Sequence, residues 1–111
     1  MQPCNKFLGW ALLLVLLSAV PALAHKVNLF AYLERGTVLC ESYFPDGKPV
    51  IEGKVLVYDG GKQLLLEGRT DQQGRFSFAV PKVDDLEIVI EAGMGHRNRF
   101  KLKRSEVEAG R

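Results

Sequence analysis

Two hydrophobic patterns divide this chain of 111 residues. The first is an apolar run at residues 7–20, which is followed by Pro21 and by the small-residue stretch 22–24. Beyond residue 25, apolar and polar side chains alternate in short segments that end at glycine, proline or aspartate, a pattern typical of strands and turns. The alternation predicts seven strands, at residues 26–33, 37–44, 50–58, 62–68, 75–80, 86–92 and 97–103.

These segments predict an all-β domain. No segment beyond residue 25 has a useful helical period, so we expect a seven-stranded immunoglobulin-like or transthyretin-like sandwich. Residues 25–104 would form this domain, and the polar residues 105–111 would form a frayed tail. Cys40, the only cysteine after residue 24, is interpreted as a small buried core residue. A metal ligand or an intermolecular disulfide is the alternative for Cys40.

The apolar run at the start of the chain predicts a secretory signal peptide helix. Lys6 precedes the run, and the small residues Ala22 and Ala24 are placed as in a signal-peptidase site. Removal of residues 1–24 would leave a periplasmic or otherwise extracytoplasmic protein. An uncleaved membrane anchor is the alternative, because the run is close to the shortest length that spans a bilayer.

Cleavage after Ala24 would make His25 the first residue of the processed protein. An amino-terminal histidine carries a free α-amine and an imidazole, which together form a bidentate metal chelate near neutral pH. The alternative is that His25 follows the cleavage site by chance and binds nothing.

Strand parity brings the two histidines of the chain, His25 and His96, to one end of the sandwich. If successive strands alternate in direction, the start of the first strand lies at the same end as the loops 45–49, 70–74 and 93–96. Two imidazoles, an α-amine and a nearby carboxylate suit Ni²⁺, Cu²⁺ or Co²⁺. For His96 the alternative is a turn residue that has a positive φ or contacts a carboxylate.

Three other side chains at this end are weaker metal-ligand candidates. Met94 offers a thioether, although an exposed methionine also packs against partner proteins. Asp46 and Asp71 offer carboxylates, but aspartate in such sequences usually accepts hydrogen bonds from its own turn.

The charge balance gives no general argument for binding to nucleic acid or to a membrane surface. Loss of Lys6 with the leader leaves 14 basic and 13 acidic side chains, from 15 and 13 in the whole chain. Basic residues nevertheless alternate along the last strand, either to protect a sheet edge from aggregation or to dock on anionic headgroups or a membrane partner. They are Arg97, Arg99, Lys101, Lys103 and Arg104. No catalytic motif is present, so we do not expect an enzyme.

Three segments carry a family resemblance: residues 24–32 (AHKVNLFAY), 43–49 (YFPDGKP) and 91–97 (EAGMGHR). They resemble the small periplasmic accessory proteins of energy-coupling-factor nickel and cobalt transporters. Residues 53–78 resemble the carboxypeptidase regulatory-like sandwich, which concerns the fold alone. The resemblance implies a helper for nickel or cobalt uptake that has His25 and His96 at its ion site and a membrane permease as its partner.

Two other functions stay open at this point. One is a structural subunit that braces the permease without binding a metal ion itself. The other is a surface adhesion or carbohydrate-binding module, for which the loops hold few aromatic residues. Membrane association would depend on protein contacts or on a retained leader, and the oligomeric state is not predicted.

Overall fold

The computed structural model describes residues 26–111 of the chain. Residues 1–25, which include the predicted signal peptide and His25, lie outside the described part. The elements in order are β1 (Asn28–Glu34), β2 (Thr37–Tyr43), β3 (Lys54–Tyr58), β4 (Leu64–Arg69), β5 (Arg75–Ala79), β6 (Leu86–Gly93), β7 (His96–Leu102) and a helix, α1 (Arg104–Ala109).

The strands form two antiparallel sheets that pack face to face. One sheet has the order β1-β2-β5 and the other has the order β4-β3-β6-β7. Each strand pairs in the antiparallel sense with its neighbours. The expected seven-stranded all-β sandwich is therefore confirmed.

The alternation of side chains decides which face of each strand enters the core. In β1 and the residue before it, Val27, Leu29 and Ala31 are buried, whereas Phe30 and Tyr32 are each 50% exposed. Branched aliphatic side chains dominate the buried layer, as expected for residues that pack well on a pleated surface. Its other strand members are Val38, Cys40, Val55, Val57, Phe78, Leu86, Ile88, Ile90 and Leu102.

Two strands begin later than the sequence indicates. β3 starts at Lys54 instead of residue 50, because Glu52 has a φ of 55° that is incompatible with an extended strand. β4 starts at Leu64 instead of residue 62, because Lys62 has a φ of 64°. The carboxylate of Asp59 accepts hydrogen bonds of 2.9 Å from the amides of Gly61 and Gln63, which holds this longer loop.

In place of the expected frayed tail, the last residues form α1. Its Val107 is fully buried against the core of the sandwich. The amide of Gly36 donates to the carbonyl of Gly110 at 2.8 Å, and the amide of Arg104 donates to Asp85 Oδ1 at 2.8 Å. The sequence did not predict this helix, because it has only 6 residues and buries only Val107. One buried residue cannot show the repeat of apolar positions by which a helix is recognised.

The two ends of the sandwich differ. We define the upper end as the start of β1, the loops 44–53 and 70–74, and the turn 94–95. The registers place the start of β1 beside the end of β2, and the start of β3 beside the ends of β4 and β6. The parity argument thus holds for the described residues, and α1 covers part of the opposite, lower end.

We expect Val107→Ala to lower the free energy of unfolding by about 2 kcal/mol, because two buried methyl groups are lost and a cavity remains. Urea unfolding followed by circular dichroism measures this change. Glu108→Ala, an exposed change in the same helix, is the matched control and should have little effect. Equal stability of the Val107 variant and the unaltered protein would mean that α1 does not brace the fold.

The pKa of the Asp59 carboxyl lies below its usual range, mainly because the amide of Gln63 donates to it. Burial opposes this shift, and Lys82 at 3.2 Å and the amide of Gly61 add to it. A lowered folded-state pKa stabilises the protein above the ordinary aspartate pKa of about 3.9, and this stabilisation is lost as the pH falls below that value.

We therefore expect Asp59→Asn to lower the melting temperature at neutral pH, and this deficit should shrink as the pH falls below about 3.9. Thermal unfolding across a pH series provides the measurement. Lys82→Ala, which leaves both backbone hydrogen bonds in place, should give a smaller deficit. A deficit of Asp59→Asn that does not vary with pH would contradict this electrostatic origin.

Candidate functional site at the upper end

The hairpin between β6 and β7 presents an exposed methionine. Gly93 pairs with His96, which leaves Met94 and Gly95 as the two turn residues, with φ values of 53° and 82°. Positive φ at both positions is typical of a type I′ turn, in which asparagine, aspartate and glycine are preferred. The side chain of Met94 is 100% exposed. A non-glycine residue therefore has an unfavourable backbone conformation here, and no packing contact with another residue of 26–111 offsets it.

His96 is the first residue of β7 and not a turn residue with positive φ, so that interpretation of it is wrong. Its half-buried imidazole contacts the ring of Phe44 edge-on, with 5.5 Å between ring centroids and an interplanar angle of 78°. The amide of Phe44 donates to the carbonyl of Lys48 at 2.8 Å. The ring contact therefore places the loop after β2 beside the imidazole, and nothing in the sequence pattern predicts it.

The first described residues lie beside the same strand as His96. The side-chain amide of Asn98 donates to the carbonyl of Val27 at 2.7 Å. β1 and β7 both begin at the upper end, so they run in the same direction. His25 itself lies outside the described residues.

The two candidate aspartates are used in their own turns. Asp46 Oδ1 accepts from the amide of Lys48 at 3.0 Å. Asp71 Oδ1 accepts from the amides of Gln73 and Arg75, both at 2.9 Å. This is the turn-capping role that such sequences favour. Within residues 26–111 no three side chains of histidine, cysteine, aspartate or glutamate come close enough to hold a metal ion.

A buried threonine ties the loops of the upper end together. Thr70 Oγ1 donates to the carbonyl of Val50 at 2.5 Å and accepts from the amide of Gly53 at 2.8 Å. Only 4% of Thr70 is exposed, so water does not compete effectively for these bonds. Loops 44–53 and 70–74 are thus held as one unit, on which exposed side chains keep fixed positions.

The basic side chains of β7 lie at an edge of the four-stranded sheet. Arg99 Nη1 is 3.7 Å from Glu87 Oε1, and Arg97 is paired in register with Glu91. Opposite charges on neighbouring strands and cations on an edge strand are common devices for protecting a sheet. This arrangement favours the edge-protection interpretation over docking on anionic headgroups.

Comparisons with known proteins found one informative relative. The chain is 34% identical over 79 residues to a protein of Haemophilus influenzae described as uncharacterized. The match covers 68% of this chain and 49% of the relative, so the chain spans about half the length of that protein. No family model matches the chain, and no solved structure matches it. Among the helices formed by residues 26–111, none has the length and apolar character needed to cross a membrane.

Cys40 lies in the core and is only 2% exposed, which confirms its interpretation as a core residue. Burial raises the pKa of its thiol to about 12. Since the thiolate is the form that binds metals and exchanges disulfides, Cys40 is chemically protected in the folded protein.

We expect the thiol of Cys40 to resist a disulfide reagent at about pH 8 in the folded protein and to react fully in denaturant. Absorbance of the released chromophore gives the rate. Cys40→Ser should lower the free energy of unfolding by about 1–3 kcal/mol, because a hydroxyl replaces a thiol in an apolar site. Rapid labelling without denaturant would contradict the protected environment.

Proposed function

We propose that this protein is an extracytoplasmic accessory protein for nickel or cobalt uptake, which binds the divalent ion and passes it to a membrane permease. The observation that supports the proposal is the hydrogen bond of 2.7 Å between Asn98 and the carbonyl of Val27. It fixes the start of the described chain beside β7, the strand that begins with His96.

Counting residues along the two strands from this hydrogen bond gives the proposed position of His25 beside His96. His25 is two positions before Val27, and His96 is two positions before Asn98. Two residues of chain span at most about 7 Å. Since β1 and β7 run in the same direction, an extended continuation of β1 would bring His25 alongside His96.

The donors of the proposed site come mainly from His25. Its α-amine and imidazole Nδ1 would form a six-membered chelate ring with Ni²⁺ or Co²⁺, and the imidazole of His96 would add a third nitrogen. Coordination positions left to water would allow the ion to leave quickly for the permease. Met94 and the outer carboxylate oxygens of Asp46 and Asp71 are weaker donors at the same end.

This proposal includes no enzymatic activity, and it places the protein outside the cytoplasmic membrane, held there through its partner. It also agrees with the resemblance of residues 24–32, 43–49 and 91–97 to accessory proteins of nickel and cobalt transporters. The described parts of all three segments contribute to the upper end or lead directly into it.

A structural subunit of the permease is the second candidate. Two observations favour it: Asp46 and Asp71 are engaged in their turns, and His96 contacts the ring of Phe44. In that case the upper end would dock on the permease without an ion, through the exposed turn at Met94.

Calorimetric titration of Ni²⁺ and Co²⁺ into the secreted, processed protein tests the proposal, after mass spectrometry has identified its first residue. One additional residue before His25 should weaken binding at least tenfold, equal to about 1.4 kcal/mol, because the α-amine becomes an amide. His96→Ala should also weaken binding. Asp46→Asn and Asp71→Asn keep an oxygen for their turns and change only the weaker donors, so each should reduce affinity less than His96→Ala.

Equal affinity of the extended and processed proteins would overturn the role of the α-amine. Undetectable binding by the processed protein, together with normal uptake in cells that carry His96→Ala, would favour the structural subunit. A leader that is still attached in the secreted protein would remove the proposed chelate altogether.

A further inference from the structure

The outer face of the three-stranded sheet carries an aromatic surface that the proposed function does not use. Phe30 and Tyr32 alternate with the buried residues of β1 and are each 50% exposed. The ring of Tyr43 stacks on that of Phe30, with 5.8 Å between centroids and an interplanar angle of 26°. Leu39 lies opposite Tyr32 in the register and is half-buried. We call these four residues the aromatic face.

A cleft with charged walls borders the aromatic face. It has a volume of ≈ 530 Å³ and is lined by Tyr32, Leu39, Glu41, Arg69 and Arg75, among others. This size falls in the range of about 300–1,000 Å³ that is usual for small-molecule sites. An aromatic wall and a few converging polar groups are the combination that such sites have.

The charged groups of the cleft remain accessible to a ligand. Arg75 Nε lies 3.6 Å from Glu41 Oε1, which is beyond an ordinary hydrogen bond, and their side chains are 65% and 41% exposed. Arg69 Nη1 donates to the carbonyl of Glu52 at 3.0 Å, which fixes its guanidinium at the cleft. Two guanidinium groups supply donors, and a carboxylate supplies acceptors.

The available area favours a small ligand over a second protein. A buried aromatic side chain covers about 150–250 Å², so Phe30 and Tyr32 at half exposure offer roughly 100 Å² each. A stable protein interface needs about 800 Å² from each partner. The aromatic face is therefore too small to hold a second copy of this chain by itself, but it is large enough for one or two sugar rings.

We propose that the aromatic face and its cleft bind a neutral saccharide chain. One apolar face of a sugar ring would stack on Phe30 and Tyr32, and its hydroxyl groups would pair with Glu41 and Arg75. A hydroxyl both donates and accepts hydrogen bonds, so it matches a carboxylate and a guanidinium at the same time. The stack of Tyr43 on Phe30 holds the platform in place before the ligand binds. The ligand would be an extracytoplasmic glycan. Of the candidate ion ligands, Asp71 also lines the cleft, whereas His96 and Met94 do not.

Nuclear magnetic resonance titration of the processed protein with cellohexaose, maltohexaose and chitohexaose tests this assignment. At least one sugar should shift the signals of Phe30, Tyr32 and Arg75, with a dissociation constant of about 1 mM or tighter. Phe30→Ala should weaken that binding at least tenfold. Leu64→Ala is the matched control, since Leu64 is also 50% exposed but belongs to the other sheet.

Three results would overturn the proposal. The first is the lack of any shift at the aromatic face with all three sugars at about ten times that dissociation constant. The second is equal sugar binding by Phe30→Ala and the unaltered protein. The third is a concentration-dependent shift of the same signals without sugar, which would identify a second copy as the occupant. Phe30→Ala should leave nickel affinity unchanged, so failure here is distinguishable from failure of the ion site.

Discussion

Burial of one apolar layer between the two sheets is the constraint on which the rest of this structure depends. Val27, Val55, Val57, Ile88 and Ile90 have essentially no contact with water. A slip of one residue in any of their strands would expose these side chains and bury their polar neighbours. The layer therefore fixes strand register, and register in turn decides which side chains remain outside. The aromatic face and the cations of β7 are both consequences of this choice.

The apolar layer holds the two sheets against each other, but it does not position the loops at their ends. The candidate ligands of the upper end therefore depend on other contacts. At the upper end, the loops are held by polar contacts and by the ring contact between Phe44 and His96. Thr70 joins two loops, and Asn98 fixes the carbonyl of Val27. Buried hydrogen bonds of this kind contribute modestly to stability but strongly favour one arrangement, since a buried group without its partner is costly. The lower end is instead partly covered by α1.

Period-two alternation was sufficient to predict the seven strands and the end to which each loop belongs, but not the division of the strands between the two sheets. It identified Cys40 as a core residue, because burial follows from position along a strand. It could not predict α1, in which only Val107 is buried, or the contact between Phe44 and His96. Both depend on how elements distant in sequence pack, and a local pattern carries no information on that. The carboxylates of Asp46 and Asp71 show the reverse case, in which local turn chemistry alone explains what the structure has.

Met94 is the residue at which local preference and the observed structure disagree most clearly. Its φ of 53° is one that asparagine or glycine adopts at lower cost, and its side chain is fully exposed. Neither packing nor hydrogen bonding of the described residues accounts for a long apolar thioether at this position. When a residue has an unfavourable backbone conformation that no contact in the fold offsets, a contact needed for function is the remaining physical explanation. An ion and an apolar pocket on a partner protein both meet this condition. The two contacts differ in what they need from the side chain. Binding of an ion needs the sulfur atom of Met94, whereas an apolar pocket on a partner needs only a side chain of similar size and shape. Met94→Leu would keep the apolar bulk and remove the thioether. It would therefore weaken binding of an ion by Met94 but leave docking of Met94 into an apolar pocket largely intact.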